Sequence, residues 1–144
     1  MHVRCTIIGA GVSGLTCAIR LLEDGHEVRV VSDKFSPETV SDVAAALWYP
    51  FLTAPAARAD EWGKITYQVL ERLSVENPES GVTIRDGREY LREEVDVPSW
   101  KDYISHFRIL EPSEIPDDYA YGWEFRSPIS EMPKYMPWLR EEVE

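Results

Sequence analysis

The stretch "IIGAGVSGL" places Gly9, Gly11 and Gly14 in the spacing G-x-G-x-x-G. Glycine turns of this spacing also occur without ligands, but between a strand and a helix they suit the binding of a dinucleotide pyrophosphate. The first glycine allows a tight turn, the second lets a phosphate come close to the backbone, and the third lets a helix pack closely on a strand. The phosphates then rest on free N–H groups at the start of that helix, where the dipole favours negative charge. Asp33 completes the pattern. It is placed to accept hydrogen bonds from ribose hydroxyls, and its charge repels a 2′-phosphate. FAD or NAD therefore ranks above NADP, and the fingerprint does not separate those two.

Such a turn works only between a strand and a helix, and the flanking residues predict both. Val3 to Ile8 reads as a short β-branched strand and Glu27 to Val31 as a second. Between them Leu15, Ala18, Ile19 and Leu22 recur at helical spacing, and Gly25 stands where a left-handed C-terminal cap is expected. This is a βαβ start. Cys5 and Cys17 fall within the predicted strand and helix and are expected to be buried, reduced thiols without chemistry. His2, His26 and His106 have no ligand spacing, and no metal site is expected.

Further along, Asp60 to Leu73 places Trp62, Ile65, Val69, Leu70 and Leu73 on one helical face. "VTIRDGREYL" (Val82 to Leu91) has Asp-Gly between β-type runs, the signature of a hairpin. "FRIL" (Phe107 to Leu110) and "YAYGWEF" (Tyr119 to Phe125) read as strands, and "PKYMPWLREEVE" as a helix with Pro133 in its first turn. A mixed, partly antiparallel sheet is expected to follow the βαβ start, so the class is α/β at the beginning and α+β as a whole.

Composition narrows the function. With 44% hydrophobic and 11% aromatic residues, the 144-residue chain can bury a core. A formal net charge of −11 argues against attraction to nucleic-acid phosphates or anionic lipid, which needs clustered Lys and Arg. Acidic runs such as "LREEVDVP" read as a solvated face. No apolar stretch has the length of a membrane span, and no leader peptide is recognisable. A two-stranded sheet cannot stand alone as a nucleotide-binding domain. The expectation is therefore an incomplete fold, the N-terminal part of a longer protein, completed by a C-terminal half or a second chain.

One run has neither helical nor strand period: "DVAAALWYPFLTAP" (Asp42 to Pro55) sets three alanines before Leu-Trp-Tyr-Pro-Phe. With its neighbours, "SDKFSPETVSDVAAALWYPFL" (Ser32 to Leu52) resembles the D-amino-acid oxidase family of flavoproteins. "PSWKDYISHFRIL" (Pro98 to Leu110), "YAYGWEFRSPI" (Tyr119 to Ile129) and "YMPWL" (Tyr135 to Leu139) are similar to later family segments in the same order. The resemblance covers essentially the whole chain. It implies that residues 1–52 begin a Rossmann-like FAD-binding domain and that residues 53–144 lead into a mixed-sheet substrate domain.

The resemblance also implies site residues. Gly9, Gly11, Val12, Ser13 and Gly14 fall on the pyrophosphate contacts, Asp33 and Lys34 on the adenosine, and Thr39, Val40 and Ser41 on the phosphate-side loop. Ala45, Ala46, Leu47 and Tyr49 fall beside the flavin, and Tyr49 and Phe51 beside the substrate cavity. In an extended run Leu47, Tyr49 and Phe51 share one side, and Trp48 and Pro50 the other. Some positions depart from the family. Val40 offers only its backbone N–H where a hydroxyl residue is usual, and Ala46 stands where glycine is common. Tyr49 replaces a glutamine-like residue of animal members, and Lys34 keeps the charge of an arginine without its planar surface.

The implied reaction is oxidative deamination of neutral D-amino acids to 2-oxo acids, ammonia and hydrogen peroxide, with FAD as cofactor and oxygen as second substrate. The family's substrate-clamping Arg and Tyr come from the C-terminal half, so no catalytic residue is assigned in this chain. Glycine or D-aspartate oxidation, an NAD-dependent reductase, and a non-catalytic FAD- or NAD-binding module stay as alternatives. The expected partners are the D-amino acid, oxygen and the C-terminal half, with a homo-oligomer compatible and no nucleic acid or membrane. A bacterial cytoplasmic setting is expected, or a peroxisomal one in a eukaryote.

Overall fold

The computed structural model describes residues 2–51 and 54–144. The domain boundary expected between residues 52 and 53 lies outside the described residues. The chain divides into two compact units, Met1–Ala46 with Asn77–Val82 and Ser130–Glu144, and Leu47–Glu76 with Thr83–Ile129.

The first unit opens with strand β1 (Arg4–Ile8), helix α1 (Val12–Glu23) and strand β2 (Glu27–Val31). The strands run parallel, with Arg4 opposite Glu27 and Ile8 opposite Val31. This is the predicted βαβ unit. Leu15, Ala18 and Ile19 are the buried face of α1. The helix ends as its sequence requires. Gly25 takes a left-handed φ of 78°, its N–H bonds to Leu22 O, and His26 N–H bonds to Leu21 O. This paired pattern satisfies the last carbonyls and needs a residue without Cβ strain.

Helix α3 (Met132–Glu141) packs against α1. It has a proline in its first turn, and it buries Met132, Tyr135, Met136 and Leu139. Its start is tied down by Glu131 N–H donating to the Gly81 carbonyl at 3.0 Å. The sulfur groups of the βαβ unit are less buried than the sequence suggests. Cys17 is exposed and Cys5 is half-buried, because Cys17 lies on the side of α1 away from Leu15, Ala18 and Ile19.

The second unit combines helix α2 (Ala56–Glu76) with strands β3 (Val82–Leu91), β4 (Phe107–Ile109) and β5 (Tyr121–Ser130), in the order β3-β5-β4. β4 and β5 are antiparallel. Trp48, Tyr67, Trp100, Trp123 and Phe125 form the core, with edge-on ring contacts such as Trp48 to Tyr67 at 5.0 Å. The opposite face of the sheet carries charge, where Glu124 accepts from Arg88, Arg108 and His106.

Two sequence expectations need correction here. The Asp86-Gly87 pair is not a hairpin turn, because Val82 to Leu91 is one continuous strand. Both residues serve the pairing with β5 instead. Asp86 accepts from Arg126 at 2.7 Å, and Gly87 faces the Phe125 ring, which a Cβ there would meet at 3.5 Å. The helix is real but its apolar stripe is only in part its core face, since of that stripe Leu70 packs on the aromatic core. Trp62 and Ile65 are 57% and 55% exposed, and Tyr67 is the buried residue. Burial follows Gly63, Tyr67 and Leu70, because the Gly63 carbonyl accepts the Trp48 indole N–H at 3.1 Å and its missing Cβ leaves room for the Tyr103 hydroxyl.

Candidate functional site

The glycine turn is built as its spacing demands. Gly9 has φ of 105°, a conformation that side chains rarely adopt, and its N–H donates to Val31 O at 2.8 Å. That bond fixes the turn beside the C-terminal end of β2, the end that leads into Asp33. A Cβ on Gly14 would lie 2.1 Å from the Gly9 carbonyl oxygen, so only glycine allows α1 to start this close to β1. Leu15 N–H to Gly11 O, at 3.0 Å, is the first helical bond of α1. The first-turn N–H groups before it have no partner within the helix, and the first turn holds no acidic residue to compete for an anion.

The loop that follows Asp33 reaches this turn. Val12 N–H donates to Ser41 Oγ at 3.0 Å, and a Cβ on Gly11 would meet the same oxygen at 3.0 Å. Ser41 sits in a 3-10 turn, Val40–Val43, whose shape is held by Asp42. The Asp42 carboxylate accepts from Thr39 N–H at 2.9 Å and from the hydroxyls of Thr39 and Ser36 at 2.5 and 2.6 Å. Desolvation would raise the Asp42 pKa, but these hydrogen bonds, led by Ser36 and Thr39, hold it below its ordinary value. Asp42 is the member of this site that residue types alone passed over. Its signal was present, since Thr39 and Asp42 have the three-residue spacing of a capping box.

Asp33 and Lys34 are exposed just beyond β2, in a bend closed by Ser32 Oγ donating to Lys34 O at 2.7 Å. Val40 is 86% exposed and presents no packing of its own. Ala44 and Ala45 are exposed and Ala46 is half-buried. Ala46 O accepts from Ser130 N–H at 2.9 Å. Gly9 to Gly14 and Ser41 are thus joined directly, whereas the structure gives no hydrogen bond between Asp33 and either.

Leu47, Tyr49 and Phe51 belong to the second unit. Leu47 forms an isolated antiparallel bridge with Ile129, and Trp48 N–H donates to Pro128 O at 3.0 Å. Leu47 and Phe51 are exposed and Trp48 is buried, in keeping with the alternation of an extended run. Tyr49 departs from it. Its ring lies against Trp100 and Phe125, and its hydroxyl donates to Glu89 at 2.5 Å.

The donor set of the first unit fits a dinucleotide pyrophosphate. The cradle excludes side chains at Gly14, leaves the first-turn N–H groups of Ser13 and Gly14 without a helical partner and places the Ser41 hydroxyl on that of Val12. No group of His, Cys, Asp and Glu suited to a metal ion occurs among the described residues. No described helix is long and apolar enough to cross a membrane.

Comparison with known proteins agrees with this geometry. The chain is 38% identical over 141 residues to a D-amino-acid oxidase of Rubrobacter xylanophilus, covering 97% of the chain and 43% of that protein. It is 35% identical over 124 residues to a D-amino-acid oxidase of Dictyostelium discoideum, covering 84% of the chain and 36% of the relative. A D-aspartate oxidase of Homo sapiens is 31% identical over 150 aligned residues, covering 97% and 44%. The chain therefore spans about two-fifths of the length of these curated relatives. Residues 4–144 match the family described as FAD dependent oxidoreductase, and with a glycine cradle shaped for its cofactor, the chain belongs to that family.

Proposed function

We propose that this chain is the FAD-holding N-terminal portion of an oxidase that converts neutral D-amino acids to 2-oxo acids, ammonia and hydrogen peroxide. The observation that carries the reading is the turn in which Gly14 abuts the Gly9 carbonyl while Ser41 meets the N–H of Val12. Gly9, Gly11, Val12, Ser13 and Gly14 receive the pyrophosphate, with Thr39, Val40 and Ser41 beside it. Asp33 and Lys34 hold the adenosine, and the small side chains of Ala45 and Ala46 admit the flavin. Bound FAD supplies the hydride-accepting chemistry, and the protein orients the substrate. The groups that clamp the substrate carboxylate are assigned to the rest of the protein, which acts in the cytoplasm.

Oxidation of acidic D-amino acids is the second reading, favoured by the similarity to a D-aspartate oxidase. The two separate in one assay on the full-length protein. Flavin absorption bands with peroxide formed from D-alanine, and little from D-aspartate or L-alanine, support the first. Faster turnover of D-aspartate supports the second. A colourless protein that forms no peroxide from any D-amino acid overturns both.

A further inference from the structure

Side chains two apart in an extended run face the same way. Leu47 and Phe51 obey this rule and are 48% and 68% exposed. Tyr49, between them, does not: its ring centroid lies 5.4 Å from Trp100 and 5.8 Å from Phe125, among the neighbours of the buried Trp48. The residue that accounts for this is Glu89 on β3. Gly87 faces the Phe125 ring, so Glu89, two residues further, faces the same aromatic side of the sheet. A carboxylate there is costly unless hydrogen-bonded, and the Tyr49 hydroxyl is the donor it has, at 2.5 Å. Burial first, and then the hydrogen bond and charge of Glu89, push the Tyr49 pKa upward, so the phenol keeps the proton it donates.

We propose that Glu89 is a positioning residue: it ties the Tyr49 ring to Trp100 and Phe125, off the Leu47 and Phe51 side, and so leaves that side open to a large substrate side chain. This rests on the proposed function, together with the resemblance that sets Tyr49 and Phe51 beside the substrate cavity. Untied, the ring swings toward Leu47 and Phe51 and takes the space a bulky side chain needs. A small substrate is indifferent to that movement. Glu89 thus selects for large neutral D-amino acids without touching them.

The test compares full-length wild type with Glu89→Ala, Glu89→Gln and Tyr49→Phe, using D-alanine and D-phenylalanine. Glu89→Ala and Tyr49→Phe are expected to raise KM for D-phenylalanine about tenfold, the scale on which a pocket senses small volume changes. In Glu89→Ala, KM and kcat for D-alanine stay near wild type, and Glu89→Gln, which keeps an acceptor, restores part of the preference. An ultraviolet titration of the phenols gives a readout independent of turnover, in which Glu89→Ala brings one tyrosine into ionisation at lower pH than in wild type. Equal KM changes for both substrates, or an unchanged titration, overturn the inference while leaving the oxidase reading intact. A wild type that oxidises no D-amino acid removes the oxidase reading and the selectivity with it, whatever the titration shows.

Discussion

The hydroxyl oxygen of Ser41 accepts the N–H of Val12 at 3.0 Å, joining the loop after β2 to the first residue of α1 across 29 positions of sequence. The contact puts a short side chain where an anion would meet the helix, so the loop and the glycine turn form one structure. Replacing Ser41 by Ala leaves that N–H without its protein partner. The expected cost is about 0.5–1.5 kcal/mol in denaturant unfolding, the usual net worth of one such bond. Flavin should also leave the full-length Ser41→Ala protein faster. A variant equal to wild type in both respects would show that the contact is incidental.

Gly14→Ala tests the cradle itself. Its Cβ would come within 2.1 Å of a backbone oxygen, which no rotamer change relieves. Overpacking of this kind costs about 1–3 kcal/mol, and here the shift falls on the turn that receives the phosphates. The full-length variant is expected to purify with its flavin largely lost, as its visible absorption would report. Retention of full flavin content would mean that the turn is not the cofactor cradle.

Acid should loosen the sheet of the second unit. Arg108 donates to Glu114 at 2.6 and 2.8 Å and to Glu124 at 3.1 Å. Hydrogen bonds from Arg108 come first in lowering both carboxyls to about 2, helped at Glu114 by the Glu111 N–H and at Glu124 by Arg88 and His106. A carboxyl depressed in the folded state binds fewer protons there than when unfolded. Its contribution is therefore complete above the ordinary value of 4.5 and fades as pH falls from there towards about 2. The groups are solvent-accessible, so salt should shrink the effect. Urea midpoints measured across that window should fall less steeply for Glu124→Gln than for wild type. Parallel curves for the two proteins would refute the role given to this cluster.

Gly87→Ala separates the strand seen in the structure from the hairpin suggested by Asp86-Gly87. A hairpin turn of that type needs a left-handed glycine, and alanine would be strained there. In β3 the added Cβ makes ordinary contact with Phe125 at 3.5 Å. The substitution is expected to leave stability within about 1 kcal/mol of wild type or to raise it slightly, since glycine weakens a strand interior. A loss well beyond that in thermal or urea unfolding would restore the hairpin.

What could be read from sequence was what is local. The G-x-G-x-x-G turn, the α1 face and the cap at Gly25 depend on residues within a few positions of one another, and all three stand as read. The second unit is organised by distant partners. Gly87 answers to Phe125, Gly63 to Trp48, and Glu89 to Tyr49, forty positions away. Each of those residues carries a local signal that points elsewhere: a turn for Gly87, a helix weakness for Gly63, a solvated charge for Glu89. Trp62 and Ile65 misled for the same reason, because a helical period marks an apolar face without saying which of its residues will meet the core. Asp42 lies between these cases, since its partners are near but its role, shaping the loop that carries Ser41, shows only once Ser41 is seen at Val12.

The most direct test is the oxidation of D- and L-alanine by the purified full-length protein, with flavin absorbance and peroxide followed in the same sample. A yellow protein that forms one peroxide per 2-oxo acid from D-alanine and none from L-alanine is the expected result. A protein that carries flavin yet oxidises neither D-alanine nor any other D-amino acid would contradict the assigned reaction.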